Sequence, residues 1–537
     1  MGYRMPMKLL VILLVLAASL RAEVTEYWIY LPTNLMVDEK RDETISLLQR
    51  AAKAGYTHCL ITDSKFCRLS EMPERYFSNV EKVKAAAAAA KIELVPTVCP
   101  VGYSNDLLFK NPNLIEGMPV KDCPMVVQNG EARMEADPAL KIKGGDFSEG
   151  AKGWAWHDEN IFFENGTAES RNPQGKNSRL SQVIHLQPWR QYHVSVRVRT
   201  KDYRGNAEVK ILAGDKSLQF DHLKVVPTQD WTTHHAVFNS QANTEANLYL
   251  GCWDGSTGQL WWDDVVVEEC PLVNLVRRDQ APLHVRTADG QELIEGKDFE
   301  PLSDPLLGTK PYNGCFTVYH QPPVLKVKLP DGAKLLVSYF HGVTVHDDQA
   351  NLCVSEPEAI KLLQDQIRRV HEMFKAKGYF MSHDEIRVFN WSALPGGEKM
   401  SAGELLAENV RTCIAALKKT NPGGKIYVWG DMFDPNHNAH KNYYLVDGDL
   451  AGSWEGLDRD VIVVPWAFEL REKSMAFFAN RGHHQMMAGY YDDDAAANAK
   501  GWMETAKATK QVDGIMYTTW KQDYSQLEAF IAAAKQR

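Results

Sequence analysis

The chain contains no Cys-x-x-Cys pair, no His-Glu-x-x-His run and no glycine-rich phosphate loop. Those absences exclude zinc ribbons, thioredoxin-type redox sites and zincin peptidases, and they leave a nucleotide cofactor without a signature. Positive charge is not in excess. Sixty Lys and Arg face 69 Asp and Glu, for a net charge of -9, which argues against a nucleic-acid partner. Long apolar runs are scarce as well. The one that could enter a membrane is Leu9 to Leu20, and its 12 residues fall short of the about 20 needed for a span. Arg4 and Lys8 precede that run and Ala22 follows it, so residues 1–22 read as a cleaved export signal. The expected setting is secreted or periplasmic, with no membrane partner after cleavage. The nine cysteines are widely spaced; Cys252 with Cys270 is a candidate pair, and the others read as buried thiols.

What is present is an ordinary globular balance, 44% hydrophobic and 24% charged. Tyr27–Leu31, Thr57–Thr62 and Glu93–Val98 read as strands. Between them, Asp42–Ala54 places Ile45, Leu48 and Ala51 on one helical face and stops at Gly55, and Glu74–Lys91 reads as a second helix. Such alternation means parallel βαβ units. It breaks at Lys143. From there to Pro271, short alternating runs such as Arg190–Arg199 and Ala207–Leu212 predict an antiparallel β-sandwich. Residues 272–331 read as a connecting β region. Alternation resumes with Ala333–Phe340, Tyr379–Ser382, Lys425–Trp429, Val461–Trp466, Gln485–Tyr490 and Gly514–Thr519. That makes nine candidates for the eight places of a barrel, and Ala333–Phe340 is the odd one, expected to pair with Val324–Lys328 as a hairpin on the rim. The predicted fold is an α/β (β/α)8 TIM barrel, begun by residues 23–142, interrupted by a jelly-roll sandwich over 143–271 and completed by 332–537.

Seven of the 14 Trp lie in the sandwich segment, which opens Gly145-Asp-Phe-Ser-Glu-Gly-Ala-Lys-Gly-Trp154 and closes Gly258-Gln-Leu-Trp-Trp-Asp-Asp-Val265. Its two ends resemble the jelly-roll carbohydrate-binding modules of secreted polysaccharide-acting enzymes. A flat ring suits the C–H face of a pyranose. The same Trp residues also suit a sandwich core, in which case the segment is a spacer.

In a barrel of this kind the site lies at the C-terminal ends of the strands. There the sequence offers His383-Asp384-Glu385, Trp429 with Asp431, Trp466, Tyr490-Tyr491-Asp492, and Trp520. Aromatic walls with acids between them suit glycosidic cleavage, which must protonate a leaving oxygen and stabilise positive charge at the anomeric carbon. The run Val354-Ser-Glu-Pro-Glu, the helix Ile360–Phe374 and Tyr379-Phe-Met-Ser-His-Asp-Glu385 resemble the family 20 glycoside hydrolases, the β-N-acetylhexosaminidases. Trp391 stands where that family often has a Trp after the acidic pair. Ser382-His383 replace its Gly-Gly, and Phe380 replaces its His.

The resemblance implies Glu385 as general acid/base and Asp384 orienting a 2-acetamido group, whose oxygen is the nucleophile. It further implies Trp429, Trp466 and Trp520 as pocket walls and Tyr490 or Tyr491 as a partner of the acetamido carbonyl. The expected partner is an oligosaccharide or polysaccharide, with no cofactor. The residues leave other readings open. A retaining glycosidase with a protein nucleophile could use Asp492, at about 5–5.5 Å from the acid. A barrel that has lost catalysis could bind sugar alone. Asp384-Glu385 could be a surface loop with a Glu385–Arg387 contact, Asp431 and Asp492 could be caps, and Trp429 and Trp520 could be barrel packing. His341, His346, His383, His437, His440, His483 and His484 invite a metal reading, but the first strand ends without a His-x-His and there is no His-Glu-x-x-His, and His383 could instead line the pocket or tune Glu385.

Overall fold

The computed structural model describes residues 24–536 apart from 136, 138, 139, 141, 155, 172–174, 254, 347, 491 and 493. The export signal read over residues 1–22 and Tyr491 lie outside the described residues. No described helix is long and apolar enough to cross a membrane.

Eight parallel strands close into a barrel in chain order. They are Glu26–Pro32, His58–Thr62, Glu93–Val98, Gly378–Met381, Lys425–Trp429, Val461–Val464, Gln485–Gly489 and Val512–Tyr517, called here the first to eighth barrel strands. Side chains alternate across each strand. One set, including Trp28, Leu60, Phe380, Tyr427 and Met516, fills the barrel interior. The other, including Ile29, Ile61, Met381 and Val428, packs outward in the larger core shared with the helices.

Local chemistry sets the helix ends. Helix Asp38–Ala54 starts on Asp38 and Glu39, which complement the positive end of the helix dipole. It ends where Gly55 takes φ 100° and donates to the carbonyls of Ala51 and Ala52, a conformation that suits glycine. Helix Ala402–Thr420 opens with a reciprocal capping box between Ser401 and Glu404. Among the described residues, an α-helix follows every barrel strand but the fifth. That connection holds the 3-10 turns Asp431–Phe433 and Ser453–Gly456 instead. Its sequence is rich in Asp, Asn and Gly and lacks an apolar 3.6-residue period, so the expected (β/α)8 repeat is incomplete at this step.

Two further corrections concern the strands around the insertion. Residues 117–134, read as barrel, form strands Gly117–Gln128 and Glu131–Met134 of a separate six-stranded sheet. Ala333–Phe340 lies within strand Lys334–Gly342 of that sheet, where it pairs with Gly117–Gln128, Leu275–Val276 and His284–Thr287. Leu325–Lys326 joins the same sheet through Glu131–Met134, so the rim hairpin does not form. The reason is visible in the burial pattern. Leu335, Val337 and Tyr339 are buried while the residues between them are not, giving a one-faced strand. A barrel stave is buried on both faces.

The sandwich is two five-stranded antiparallel sheets. Trp154 and Trp262 are fully buried in its core with Tyr192, Phe238 and Leu248. Cys252 and Cys270 are free thiols rather than a pair. Alternation turns Trp261 outward next to Trp262, under the Arg199 guanidinium at 4.2 Å. Trp262→Ala is therefore expected to destabilise the sandwich by about 3–5 kcal/mol, and Trp261→Ala by about 1 kcal/mol or less. Urea unfolding followed by Trp fluorescence separates the two; equal losses would refute this assignment of core and surface.

Candidate active site

A cavity of about 520 Å³ opens at the C-terminal ends of the barrel strands. Residues at or close to the C-terminal ends of the first six strands line it: Tyr30, Thr62, Thr97, Ser382, Trp429 and Trp466. Trp520 closes one side, with its ring 5.3 Å from Tyr30 and 6.1 Å from Trp429. Trp429 is wedged edge-on against Phe380, the next ring down the barrel, at 4.7 Å. These edge-on ring contacts orient Tyr30, Trp429 and Trp520 at the cavity they line.

Asp384 and Glu385 both reach this space. Ser382 and Asp384, two residues apart, share the inward direction. His383, between them, points outward, is fully buried and bonds Asn409 through Nε2 at 3.0 Å. His383 is thus not pocket lining, and strand alternation is the reason. Glu385 regains the cavity by a backbone device. The strand ends at Met381, and Glu385 adopts a left-handed φ of 47°. Such a conformation costs about 1–3 kcal/mol in a non-glycine residue and persists where neighbours enforce it. Here the Glu385 N–H donates to Asp431 Oδ2 at 2.9 Å, and Gln349 Nε2 donates to the Glu385 carbonyl at 2.9 Å. The loop after the third strand presses against the same turn, because a Cβ on Gly102 would lie 1.9 Å from the Asp384 carbonyl oxygen.

The Glu385 carboxylate is held from two sides. Arg387 Nη2 lies 2.7 Å from Oε1, and the Tyr103 hydroxyl donates to Oε2. Arg387 also donates to the Tyr103 oxygen at 3.2 Å and to Gln349 Oε1. The Glu385–Arg387 contact anticipated as a structural alternative is therefore present inside the cavity wall. A charge on Asp384 is unfavourable: burial first, then the carboxylates of Asp431 and Glu385, raise its pKa well above the usual carboxylate range. Burial likewise raises Asp431. Asp431 is buried beneath the pair rather than in the cavity, with Oδ2 accepting from Glu385 N and Asn438 Nδ2.

Three further sequence candidates sit elsewhere. Trp391 packs with Met118, Val388 and Leu445 and donates to the Leu445 carbonyl at 2.6 Å. Tyr490 is buried on the outer side of the barrel, stacked on Tyr517 at 4.6 Å. Asp492 spends one carboxylate oxygen on the Trp520 and Lys521 amides at 3.0 and 3.1 Å and the other on the Thr519 hydroxyl. It shapes the turn that carries Trp520 and does not line the cavity. Conversely, Tyr30, Tyr103 and Asp63 line it and were not singled out. Tyr30 and Asp63 follow from the strand-end rule once it is applied to the first three strands as well as the last five; Tyr103 lies five residues beyond the third strand and does not. Asp63 accepts from Leu35 N, Lys65 N and the Tyr76 hydroxyl at 2.9, 3.0 and 3.1 Å. Asp106, also on the wall, pairs with Arg68 at 3.2 Å. Among the described residues, no group of three or more His, Cys, Asp or Glu could hold a metal ion.

The Asp384 shift has a consequence for stability. In the unfolded chain the carboxyl ionises near pH 4. In the fold it keeps its proton to higher pH. Between those two points the folded state binds more protons than the unfolded state, so this group's contribution falls as pH rises. Asp384→Asn, which mimics the protonated form, is expected to raise Tm relative to wild type, increasingly so from pH 4 towards pH 8. Differential scanning fluorimetry across that range checks it; a pH-independent difference would contradict the strained-charge reading.

No protein-family model and no curated protein matches the chain. Among solved structures, a rhamnosidase from Novosphingobium sp. PP1Y is 10% identical over 92% of this chain and 55% of its own, with a TM-score of 0.32. A CBM4 structure is 18% identical over 24% of this chain and 99% of its own, with a TM-score of 0.20. A family 29 carbohydrate-binding module mutant is 9% identical over 25% of this chain and 91% of its own, with a TM-score of 0.18. Similarity at this level leaves the function to be argued from the site itself.

Proposed function

We propose that the protein is a glycoside hydrolase, exported from the cytoplasm, that removes terminal β-linked N-acetylhexosamine. One observation carries the reading: an acidic pair, Asp384 and Glu385, faces a cavity walled by Tyr30, Trp429, Trp466 and Trp520. The rings bind the C–H face of a pyranose. Glu385 protonates the leaving oxygen, then takes the proton from the attacking water. Asp384 holds the 2-acetamido group while its oxygen attacks the anomeric carbon. Positive charge then spreads onto the acetamido nitrogen. An Asp384 carboxylate poorly solvated in the empty site gains a counter-charge at that moment, so its stabilisation is larger in the transition state than in the ground state. The other wall carboxylates support this division of roles, since Asp63 and Asp106 are already bound to amides, Tyr76 and Arg68. Asp492, the nucleophile of the alternative mechanism, is likewise committed to the Trp520 turn.

A second reading, sugar binding without hydrolysis, rests on a different observation. Both Glu385 oxygens are engaged, by Arg387 and by Tyr103. Aryl glycosides with and without a 2-acetamido group decide between the readings. Turnover confined to the 2-acetamido sugars is the expected result. Turnover of plain sugars would move the assignment to a protein nucleophile. Trp fluorescence quenching by sugar with no turnover would favour the second reading.

A further inference from the structure

The sandwich keeps a core of its own, separate from those of the barrel and the six-stranded sheet. Where it docks on them, polar side chains make buried contacts. Gln191 Oε1 accepts from the Tyr339 hydroxyl and Gln219 Nε2 donates to the Thr344 carbonyl, both at 2.9 Å. Histidines fill out the same interface, and their hydrogen bonds leave little room for extra protons.

His341, on strand Lys334–Gly342, is fully buried. It meets Asn239 of the sandwich. The Gln241 amide donates to Asn239 Oδ1 at 2.8 Å, which leaves Nδ2 to meet His341 Nε2 at 3.1 Å and the Pro119 carbonyl at 3.0 Å. An amide nitrogen only donates, so His341 Nε2 accepts. A proton there would set N–H against N–H.

His193 and His235 stand on the outer face of the sandwich under Tyr319, whose ring stacks on His193 at 3.8 Å. His193 Nδ1 bonds Glu268 Oε1 at 3.0 Å, and its Nε2 meets His235 Nδ1 at 2.9 Å. One proton serves the contact between the two rings, and a second has no place in it. His234 and Cys270 are their other titratable neighbours. His346 lies between Phe220, His222 and Lys210 of the sandwich and Tyr444, whose hydroxyl its Nε2 bonds at 3.0 Å. Arg387 sits 5.3 Å over the Tyr444 ring. The acids nearby are already matched, Glu208 with Lys210 and His222, and Asp348 with Lys224.

Burial pushes His341 down to about 3. It pushes His346 to about 3 as well, with help from Arg387, His222 and Lys210, and His235 to about 4, with help from His193 and His234. An exposed histidine ionises near 6.5. Between those values the docked form binds fewer protons than a form whose rings reach water, so docking weakens as pH falls. For His341 alone this shifts the equilibrium about a hundredfold at pH 4.5. Glu269, beside Arg190, works in the opposite sense, since burial pushes it up to about 7, and it offsets part of the effect.

We propose that this interface is an acid-operated latch, which holds the sandwich docked while His341, His346 and the His193–His235 pair keep the hydrogen bonds described, and frees it when they gain protons. The latch stands apart from the reading of the barrel mouth as a hydrolase site.

Hydrogen–deuterium exchange of the full-length protein at pH 7.5 and pH 4.5, corrected for the intrinsic pH dependence of exchange, tests it. Peptides covering residues 189–193, 235–241, 316–320 and 339–346 are expected to exchange at least tenfold faster at pH 4.5, while the barrel strands stay protected. Small-angle X-ray scattering should show the radius of gyration growing over the same range. In His235→Gln/His341→Gln, where amides replace rings that can charge, opening should move to lower pH. The control His157→Gln, at an exposed position of strand Trp156–His157, should open like wild type. Equal exchange at the two pH values overturns the proposal. Loss of protection throughout the barrel does so too, because it marks general acid unfolding. Opening of the folded double variant at the wild-type pH overturns it as well, and a double variant that fails to fold leaves the wild-type measurements to decide.

Discussion

Glu385→Gln is expected to lower turnover of a natural glycoside by three orders of magnitude or more, the sum of lost proton donation and lost base catalysis, each worth about 10²–10⁴-fold. An aryl glycoside with a good leaving group needs little protonation, so its glycosylation step should suffer far less. The contrast between the two substrates is the diagnostic quantity, because a merely misfolded site would lose both equally. The geometry sharpens the expectation. Glutamine keeps the shape of the side chain and can still accept from the Tyr103 hydroxyl, and the backbone contacts of residue 385 to Asp431 and Gln349 do not involve its side chain. Pre-steady-state kinetics on the aryl substrate and steady-state kinetics on the natural one supply both numbers. Near-wild-type activity of Glu385→Gln on the natural substrate would falsify the assignment.

Asp384→Asn should cost hundreds-fold or more in turnover of an N-acetylhexosaminide, as befits a charge contact of several kcal/mol made in the transition state. A thiazoline analogue of the cyclised intermediate should inhibit wild type strongly and the variant weakly, since the carboxylate that meets the analogue's charge is gone. The same substitution is expected to stabilise the protein at neutral pH, because the buried charge that Asp431 and Glu385 oppose is removed. Loss of activity joined to a gain in Tm would mark Asp384 as a group kept for function at the expense of stability. A 2-fluoro sugar that traps a covalent adduct, seen by intact-protein mass spectrometry, together with indifference to the thiazoline, would instead promote a protein nucleophile.

The candidate site was legible in part, and the failures share a cause. Trp429, Trp466 and Trp520 were named because they end strands, and they wall the cavity. His383 and Tyr490 were named because they stand close in sequence to such ends, and Trp391 because the family resemblance has a Trp after the acidic pair; none of the three lines the cavity. For His383 the reason is alternation at a strand end; for Tyr490 it is a left-handed φ of 57° just after Gly489 that turns the ring out onto Tyr517. Asp431 and Asp492 were read as groups for substrate, and both hold the backbone of the residues that face it, Glu385 and Trp520. Tyr103 carried no local signal beyond its place five residues after the third strand.

The sequence by itself determined the elements. Apolar runs of strand length, helical faces closed by Gly55 or opened by Ser401, and the switch to two-residue alternation after Lys143 are local properties, and local sterics and burial suffice to fix them. Tertiary structure alone decided which strands closed the barrel and what met at its mouth. Lys334–Gly342 was a good strand in either sheet; in the antiparallel one Leu335, Val337 and Tyr339 are buried while Leu336, Ser338 and Phe340 on the other face are only part-buried. The grip on Glu385 joins residues 103, 349, 387 and 431, and the docking interface of the sandwich joins 239 to 341. Contacts between positions so far apart in sequence depend on register, on the sign of one backbone angle and on which face of a strand is covered. None of these leaves a trace in residue type, because the same residue serves either outcome until the chain has closed around it.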